Sequence, residues 1–264
     1  MISCFLSVFL SACHRPAAID FVQVKEVQLS RPDVSVSQVF FSNSAWIYVH
    51  QPPSGCQIYY TDNGQIPNQQ SPVVSDSMRV ENTASLRFKT IGKRYQASEE
   101  VGVDLFRLQG QAISIASSTI PTAPYDQAAT TILIDQQKGS ANFRDGQWLG
   151  YQTARLSFDL ELAGNSINGL TLSVLEDQNS WIFAPDSLRV QFYDEANTLL
   201  AEGQLSYDAA SSKVGAHCRF ISVEVEEIKA TRAMLSIHNL IAIPDWHPGN
   251  GHTPWLFIDE ILLR

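Results

Sequence analysis

Short runs of alternating apolar and polar residues recur along this chain, and they constrain its fold more than any other feature. The clearest run is RLSFDLEL at residues 155–162, and similar runs are SLRFKT at 85–90, LRVQFY at 188–193 and ISVEVEE at 221–227. A period of two places the apolar residues on one face of a β-strand and the polar residues on the other. No long stretch shows the period of an amphipathic helix. The sequence therefore predicts an all-β protein.

Turn-forming sequences separate these runs. They include Asp62-Asn63-Gly64, Gly164-Asn165 and Pro248-Gly249-Asn250-Gly251. Asn-Gly and Gly-Asn pairs adopt the left-handed backbone conformations that tight turns require. Many short strands with turns between them are typical of β-sandwiches.

The length of 264 residues is sufficient for two domains. Small residues and prolines dominate LQGQAISIASSTIPTAPYDQAAT at 108–130, which predicts a connection that contains at most one edge strand. We expect a tether at 14–30, a first sandwich at 31–108, a linker at 109–124 and a second sandwich at 125–264.

The net charge of −9 lies entirely in the second half of the chain. Residues 14–109 contain nine Lys and Arg against nine Asp and Glu, whereas residues 110–264 contain nine against 18. An acidic surface repels phosphate backbones, so nucleic acid is not an expected partner.

The N-terminal sequence MISCFLSVFLSAC, residues 1–13, is apolar and ends in Leu10-Ser11-Ala12-Cys13. This ending resembles the lipobox of bacterial lipoproteins, in which the signal is cut before a cysteine that becomes lipidated. The resemblance implies that residues 1–13 carry the signal and the lipidated Cys13, and that the protein is an outer-membrane lipoprotein of the bacterial cell envelope, periplasmic or surface-exposed. Residues 1–13 contain none of the basic residues with which export signals usually begin.

Cys56 and Cys218 are the cysteines in the two expected sandwiches. An oxidising compartment would permit a bridge between them, but that bridge would have to join two domains. Two separate, small, buried cysteines are the favoured prediction.

The first sandwich contains CQIYYTDNGQIPNQQSPVV at residues 56–74. The pattern Ile58-x-Tyr60-Thr61-Asp62-x-Gly64-x-x-Pro67, followed by Ser71-Pro72, resembles the C-terminal domain of chitobiase and β-hexosaminidases. The resemblance implies an immunoglobulin-like accessory domain without catalytic residues. Tyr60, Asp62 and Gly64 are then expected to shape a hairpin.

Three ordered blocks in the second sandwich, residues 133–152, 176–195 and 244–263, carry a second resemblance. They resemble the discoidin-like, coagulation factor V/VIII C-type domain that follows the chitobiase-type domain in bacterial β-N-acetylhexosaminidases. The resemblance implies an eight-stranded, galactose-binding-like jelly roll, and many such domains bind carbohydrates. Asp135-Gln136 stands where members usually carry Asp-Gly, which predicts a modified turn.

The last block contains two adjacent carboxylates, Asp259 and Glu260, in an otherwise apolar strand. Neighbours in a strand point to opposite faces, whereas a glycosidase needs two carboxyl groups that converge on one bond. We therefore predict no catalytic residues here. Glu260 would lie among apolar side chains and would need a positive partner.

The resembled family often binds a structural calcium ion between a loop near its first strand and a glutamate on its last. Carried over to this sequence, the metal ligands are Asp135, backbone oxygens around Lys138 and Ser140, and Glu260. A salt bridge from Arg144 or Arg155, or hydrogen bonds from backbone amides, would also satisfy Glu260. For Asp259 the expected donors are loop amides or the indole of Trp148 or Trp255.

A sugar site combines an exposed aromatic ring with hydrogen-bonding side chains. The candidate ligand-binding residues with this composition are Trp181, Asp245, Trp246, His247, Asn250 and His252. Tryptophans also plug the ends of sandwich cores. That role is favoured for Trp148 and Trp255, and both roles stay open for Trp181 and Trp246.

Three function classes follow from these observations. The first is an exported, non-catalytic lipoprotein that binds glycans, with N-acetylhexosamine- or galactose-containing sugars as candidates. The second is a structural or protein-interaction module of the cell envelope. The third is an accessory remnant or degenerate form of a glycoside hydrolase, since the resembled modules follow a catalytic barrel that this sequence is expected to lack. No hydrolase or phosphate-binding motif supports catalysis.

Overall fold

The computed structural model describes residues 27–208 and 215–264. The expected signal, Cys13 and most of the expected tether lie outside these residues. The described strands form four sheets, which pack as two β-sandwiches and confirm the all-β prediction. None of the described segments forms a helix long and apolar enough to cross a membrane.

The first sandwich packs a three-stranded sheet against a five-stranded sheet. In chain order, strands β1 to β8 cover Val34–Val36, Phe40–Phe41, Ala45–Val49, Cys56–Thr61, Val73–Val74, Ser77–Val80, Ala84–Gly92 and Val101–Arg107. The sheet orders are β1-β3-β6 and β2-β8-β7-β4-β5. Neighbouring strands are antiparallel, apart from the parallel pair β2 and β8.

The alternation in the sequence places the core of this sandwich. On β7 the side chains of Leu86 and Phe88 are buried in the core, while Arg87 and Lys89 are only partly covered on the other face. The Asp62-Asn63-Gly64 turn follows β4, and Gly64 has a φ of +72°, the left-handed conformation expected of it. Strand β4 then pairs with β5, so the two ends of the 56–74 segment form an antiparallel pair.

The second sandwich packs a four-stranded sheet against a five-stranded sheet. In chain order, strands β9 to β17 cover Ala112–Ser117, Leu149–Tyr151, Arg155–Leu162, Ser166–Glu176, Ser187–Tyr193, Leu199–Ser206, His217–Lys229, Arg232–His238 and Leu256–Leu263. The sheet orders are β10-β17-β12-β15 and β14-β13-β16-β11-β9. Short 3-10 helices lie at Thr130–Ile134 and Gln178–Ser180. Within the described residues this sandwich has nine strands, not the eight that the resemblance implied.

Two expected connections are partly built into the sandwiches. Strand β9 lies inside the expected linker at 109–124, but it pairs with β11 from Ala112 to Ser117, with one irregularity, and therefore belongs to the second sandwich. The end of the expected tether is also docked. The Leu29 amide donates to the Gln96 carbonyl at 3.0 Å, the Gln96 amide donates to the Val27 carbonyl, and the Leu29 side chain is buried.

An apolar cluster joins the two sandwiches. Phe40 and Phe106 of the first sandwich contact Phe220 of the second, with ring centroids 6.0 and 4.2 Å apart. Leu108 and Leu262 complete the buried part of this cluster. The two free cysteines lie on either side of the junction, Cys56 in β4 and Cys218 in β15, and form no bridge.

Strand β17 does not alternate strictly, contrary to the prediction. Glu260 pairs with Ser173 and Ile258 pairs with Val174, the next residue of β12. Asp259 is therefore the extra residue of a β-bulge, which shifts the alternation by one residue. As a result Leu256 and Ile258 before the bulge, and Ile261 and Leu263 after it, all enter the same core.

Candidate functional site

A cleft of about 500 Å³ opens between Trp181 and Trp246, on loops that the second sandwich presents at one end. The two tryptophan residues are 36% and 37% exposed, so both are available at the surface. Their loops connect β12 to β13 and β16 to β17. Gln178, Asn179, His247 and Pro248 line the rest of the cleft, together with Gly215.

The backbone holds Trp181 in a specific orientation. Its φ of +64° lies in the left-handed region, which is uncommon for a residue with a bulky side chain. Gly249 lies against its ring, and a Cβ atom there would be only 2.8 Å from the ring carbons. On the same ring, His252 stacks with a centroid distance of 5.0 Å. Gly249 and His252, on the loop between β16 and β17, thus fix the ring of Trp181, which lies on the loop between β12 and β13.

His247 braces this loop. Its Nδ1 lies 3.0 Å from the Gly249 amide and its Nε2 lies 2.8 Å from the Gln178 carbonyl. Because a backbone amide N–H can only donate, Nδ1 accepts the hydrogen bond from Gly249, and Nε2 carries the hydrogen and donates it to the Gln178 carbonyl as a hydrogen bond. Although His247 lines the cleft, both ring nitrogens are engaged by the backbone and the side chain is buried. It therefore positions the cleft and, contrary to the prediction, offers no nitrogen to a ligand.

The remaining predicted residues share the loop but not the cleft lining. Asp245, Asn250 and His252 are all exposed on the segment that carries Trp246, yet none of them lines the cleft. The prediction missed Gln178 and Asn179, although they stand just before Trp181 in the sequence. The side chain of Asn179 thus borders the same cleft as the two predicted tryptophans, Trp181 and Trp246.

A second set of predicted residues gathers at the bulge on β17, where Asp259 is paired inside the protein. Its Oδ2 accepts hydrogen bonds from the Lys138 ammonium at 2.6 Å and the Gly139 amide at 2.8 Å. The Lys138 nitrogen also lies 4.7 Å from the centre of a Trp148 ring. Burial raises the pKa of the Asp259 carboxyl, and the neighbouring Lys138 ammonium opposes that rise. The indole of Trp148 instead donates to the Ser140 carbonyl.

Glu260 is equally buried but has a different environment. Both of its carboxylate oxygens lie within 3.1 Å of a single donor, the backbone amide of Gln136. The pKa of Glu260 is raised to about 9, chiefly by burial; the Gln136 amide opposes that rise, and the carboxylates of Asp135 and Asp259 contribute to it. Neither Arg144 nor Arg155 forms an ion pair with it among the described residues. Of the predicted partners of Glu260 other than a metal ion, the described residues thus provide a backbone amide but no arginine.

The predicted calcium ligands are only partly brought together. Asp135 lies next to Glu260, within side-chain hydrogen-bond reach of it, and the Asp135 Oδ1 accepts a hydrogen bond from the Gln137 amide at 2.8 Å. A small void of about 10 Å³, comparable to one water molecule, borders Gln136 and Glu260. At Lys138 and Ser140 the predicted ligands are backbone oxygens, and the Ser140 carbonyl accepts a hydrogen bond from the Trp148 indole at 3.0 Å.

The Asp135 and Glu260 pair has the chemistry that a hard divalent cation prefers. The exposed carboxylate of Asp135 lies beside the buried carboxyl of Glu260 and raises its pKa, and an ion with oxygen ligands would neutralise both. Across residues 27–208 and 215–264, no three His, Cys, Asp or Glu side chains form a group that could hold a metal by themselves. Backbone or water oxygens would therefore have to complete the coordination.

Comparison with known proteins places a family in the first sandwich. Residues 39–102 match the model of the chitobiase/β-hexosaminidase C-terminal domain. The matched range lies inside the 31–108 domain predicted from the sequence and includes the Asp62-Asn63-Gly64 turn. No curated protein matches the chain.

Solved structures similar to this chain include several carbohydrate-binding modules. A chitosan-binding module of a chitosanase/glucanase from Paenibacillus sp. IK-5 is 10% identical, with a TM-score of 0.37, and the match covers 60% of this chain and 98% of the module. A fucose-binding module from Streptococcus pneumoniae is 12% identical, with a TM-score of 0.38 and coverages of 59% and 93%. The CBM32-5 module from Clostridium perfringens, in complex with GalNAc-β-1,3-galactose, is 15% identical, with a TM-score of 0.35 and coverages of 57% and 93%.

The family match and the fold agree for the first sandwich, where the residues that suggested the resemblance shape the turn after β4. Residues 39–102 therefore match the chitobiase/β-hexosaminidase C-terminal domain in both sequence model and sheet arrangement, and a second β-sandwich that carries the candidate site follows them.

Proposed function

We propose that this protein is a non-catalytic glycan-binding protein of the bacterial cell envelope, with its binding site in the cleft between Trp181 and Trp246. The first sandwich, a domain of an accessory type, would hold the second at a fixed angle through the apolar cluster at their junction. N-acetylhexosamine- or galactose-containing sugars remain the candidate ligands.

The observation that carries this proposal is the pair of tryptophans that border one cleft, each more than one third exposed. A sugar ring has an apolar C–H face and a rim of hydroxyl groups. A concave site with exposed aromatic surface and a few polar side chains fits that combination. Asn179 supplies an exposed amide that can donate and accept at the rim.

The burial of the adjacent carboxylates supports a role without catalysis. Asp259 and Glu260 have no exposed surface, so neither can reach a glycosidic bond. Because Asp259 lies in a β-bulge, strict alternation of side chains does not exclude a catalytic pair of Asp259 and Glu260. Burial and the engagement of Asp259 by Lys138 are the better reasons to exclude it.

We also propose that calcium binds at Asp135 and Glu260, with backbone oxygens of the 135–140 loop as further ligands. When bound, the ion would neutralise two neighbouring carboxylates and fix the loop that precedes Trp148. The proximity of the two carboxylates supports this proposal.

The lipoprotein part of the proposal is supported by Leu10-Ser11-Ala12-Cys13. Mass spectrometry of protein expressed in a bacterial host tests it directly. The expected result is a mature chain that begins at a diacylated Cys13, and Cys13→Ala should abolish both the cleavage and the lipid. An unprocessed wild-type chain would contradict this part of the proposal alone.

The test of glycan binding uses residues 14–264 on a glycan array, with and without a calcium chelator. We expect binding by the parent protein, and a roughly tenfold to hundredfold loss of affinity in Trp181→Ala and Trp246→Ala, because each removes a large apolar contact surface. Asn179→Ala provides a milder variant that leaves the tryptophan packing intact. Thermal unfolding of each variant shows whether the fold is retained.

Trp46→Ala is the matched control, because Trp46 is 42% exposed but lies on β3 of the first sandwich. It should bind glycans as the parent does. Failure of the parent protein to bind any glycan would contradict the proposal, and so would equal losses in Trp46→Ala and Trp181→Ala.

One observation favours the second function class, a protein-interaction module. Trp46 and Tyr48 lie two residues apart on β3, with Tyr48 48% exposed, and both face outward from the three-stranded sheet. Exposed aromatic residues on a sheet face are typical of protein-binding surfaces. A pull-down from envelope extracts with wild type and a Trp46→Ala/Tyr48→Ala variant tests it. Loss of a specific partner in the variant alone would support this class.

A further inference from the structure

A second, larger cleft lies beside the first on the same sandwich. It has a volume of about 610 Å³ and is lined by residues of two segments, 124–128 and 143–148. The rings of Tyr125 and Phe143 form part of its wall, half-buried and in edge-to-face contact with centroids 5.7 Å apart. Trp148 forms the buried floor. Its volume lies in the range typical of small-molecule sites.

Polar groups in this cleft are available to a ligand. The exposed Arg144 guanidinium lies 5.2 Å from the centre of the Phe143 ring, and it forms no ion pair or hydrogen bond with any described residue. The Tyr125 hydroxyl likewise has no hydrogen-bond partner among the described residues. A guanidinium offers up to five N–H donors and a phenol offers one donor and an acceptor. Together they can bind the hydroxyl, amide or carboxylate oxygens of a sugar.

The two clefts are connected by a continuous series of contacts. Tyr125 packs edge-on against Trp255 with centroids 5.2 Å apart, and the Trp255 amide donates to the Trp181 carbonyl at 2.8 Å. Trp181 then borders the first cleft. Phe143, Tyr125 and Trp255 are thus linked by ring contacts, and the backbone hydrogen bond between half-buried Trp255 and Trp181 connects them to the first cleft.

From this continuity we infer that the second cleft is an additional sugar subsite and that the protein binds an oligosaccharide chain across both clefts. This inference rests on the proposed glycan-binding function and specifies its ligand as an extended chain. A ligand confined to the first cleft would leave the Arg144 and Tyr125 groups unused. A chain that extends past Trp255 would contact both sets of polar groups and the aromatic surface between them.

The experiment is an array that presents homo-oligosaccharides of several backbones, each as a series from one to six sugar units, probed with the full chain. Affinity should rise at least tenfold once the chain is long enough to reach the second cleft, because additional apolar and polar contacts are then made. Arg144→Ala and Tyr125→Phe should lower affinity for the long ligands, by about tenfold for Arg144→Ala. Both should leave affinity for one- and two-unit ligands unchanged.

Arg155→Ala is the matched control, because Arg155 is also exposed at this end of the sandwich and its guanidinium forms no bond with described residues. It should bind ligands of every length as the parent does. Trp181→Ala should instead weaken short and long ligands alike. This dependence on ligand length is a readout that a purely structural role of Arg144 would not produce.

The outcomes separate the inference from the function on which it rests. If the parent binds but its affinity does not depend on chain length, or Arg144→Ala affects short and long ligands equally, the second subsite is refuted and glycan binding stands. If the parent binds none of the oligosaccharides, both are refuted.

Discussion

Asp259 and Glu260 are adjacent, both are fully buried at one β-bulge, and yet they are stabilised in different ways. Asp259 has a cationic partner within the chain, the Lys138 ammonium at 2.6 Å. Glu260 has one neutral donor, the Gln136 amide, and lies beside a second carboxylate, Asp135. The first charge is compensated by the protein alone, whereas the second is compensated only by protonation or by a cation from solution.

The comparison shows that the bulge anchors one loop twice. The Gly139 amide donates to Asp259 and the Gln136 amide donates to Glu260, so both ends of the 136–139 segment are fixed to the last strand. That loop leads to Phe143, Arg144 and Trp148, which line the second cleft. The hydrogen bonds that stabilise Asp259 and Glu260 therefore also hold the loop that shapes the second cleft.

The largest effect is expected from Lys138→Met, which removes the partner of Asp259. Breaking a buried ion pair from one side leaves an uncompensated buried charge and costs about 3–5 kcal/mol of the free energy of unfolding. Urea unfolding of wild type and variant measures this cost. Adding Asp259→Asn to Lys138→Met should recover most of the loss, because the amide oxygen still accepts from Gly139 and no charge remains.

Lys229→Met is the control for this prediction. Lys229 ends β15, is exposed and forms no ion pair with described residues, so its substitution should change stability by less than about 0.5 kcal/mol. A Lys138→Met protein as stable as Lys229→Met would mean that Asp259 does not depend on an internal cation. Asp259 and Glu260 would then not differ in their dependence on a cationic partner.

A smaller effect is expected from removal of calcium, which tests the external compensation of Glu260. At a calcium concentration about 100 times the Kd, binding stabilises the folded state by roughly 2.7 kcal/mol. For a protein of this size the chelator should then lower the Tm by about 5–10 °C. Differential scanning fluorimetry with the chelator, and then with calcium restored, measures the shift.

Two variants assign that shift to the pair of carboxylates. Glu260→Gln and Asp135→Asn should show the same Tm with calcium and with the chelator. Glu226→Gln should keep the full shift, because Glu226 is exposed on β15. An unchanged wild-type Tm on chelation would contradict calcium binding at this site.

The alternating sequence patterns predicted most of this fold but not the bulge at Asp259. Period-two runs such as RLSFDLEL at 155–162 correctly identified a strand with Leu156, Phe158, Leu160 and Leu162 inside. The run WLFIDEILL at 255–263 gives no local sign of an inserted residue, because apolar residues occupy both faces of this central strand. Its alternation is set by pairing with β12, a contact distant in sequence.

The candidate site was predictable only where its residues are close in sequence. Trp181 and Trp246 stand among loop residues, and the sequence left both a sugar-binding and a core-plugging role open for them; the structure shows both to be exposed. The second cleft combines Tyr125, at the start of the expected second sandwich, with Phe143 and Arg144 from a later loop. Only the three-dimensional packing of Tyr125 against Trp255 brings these segments together, so no single sequence window could reveal the cleft.

The smallest expected effect comes from Gln136→Gly, which alters the donor to Glu260 without removing it. Gln136 has a φ of +64°, a left-handed conformation that costs a residue with a side chain about 1–2 kcal/mol and glycine little. Glycine also gains entropy in the unfolded chain, so the net stabilisation should be about 0.5–1 kcal/mol in urea unfolding. Gln137→Gly, next to it but without a positive φ, should instead destabilise the fold. If both variants lose stability equally, the Gln136 backbone is not strained, and the resembled Asp-Gly turn would offer no advantage at Asp135-Gln136.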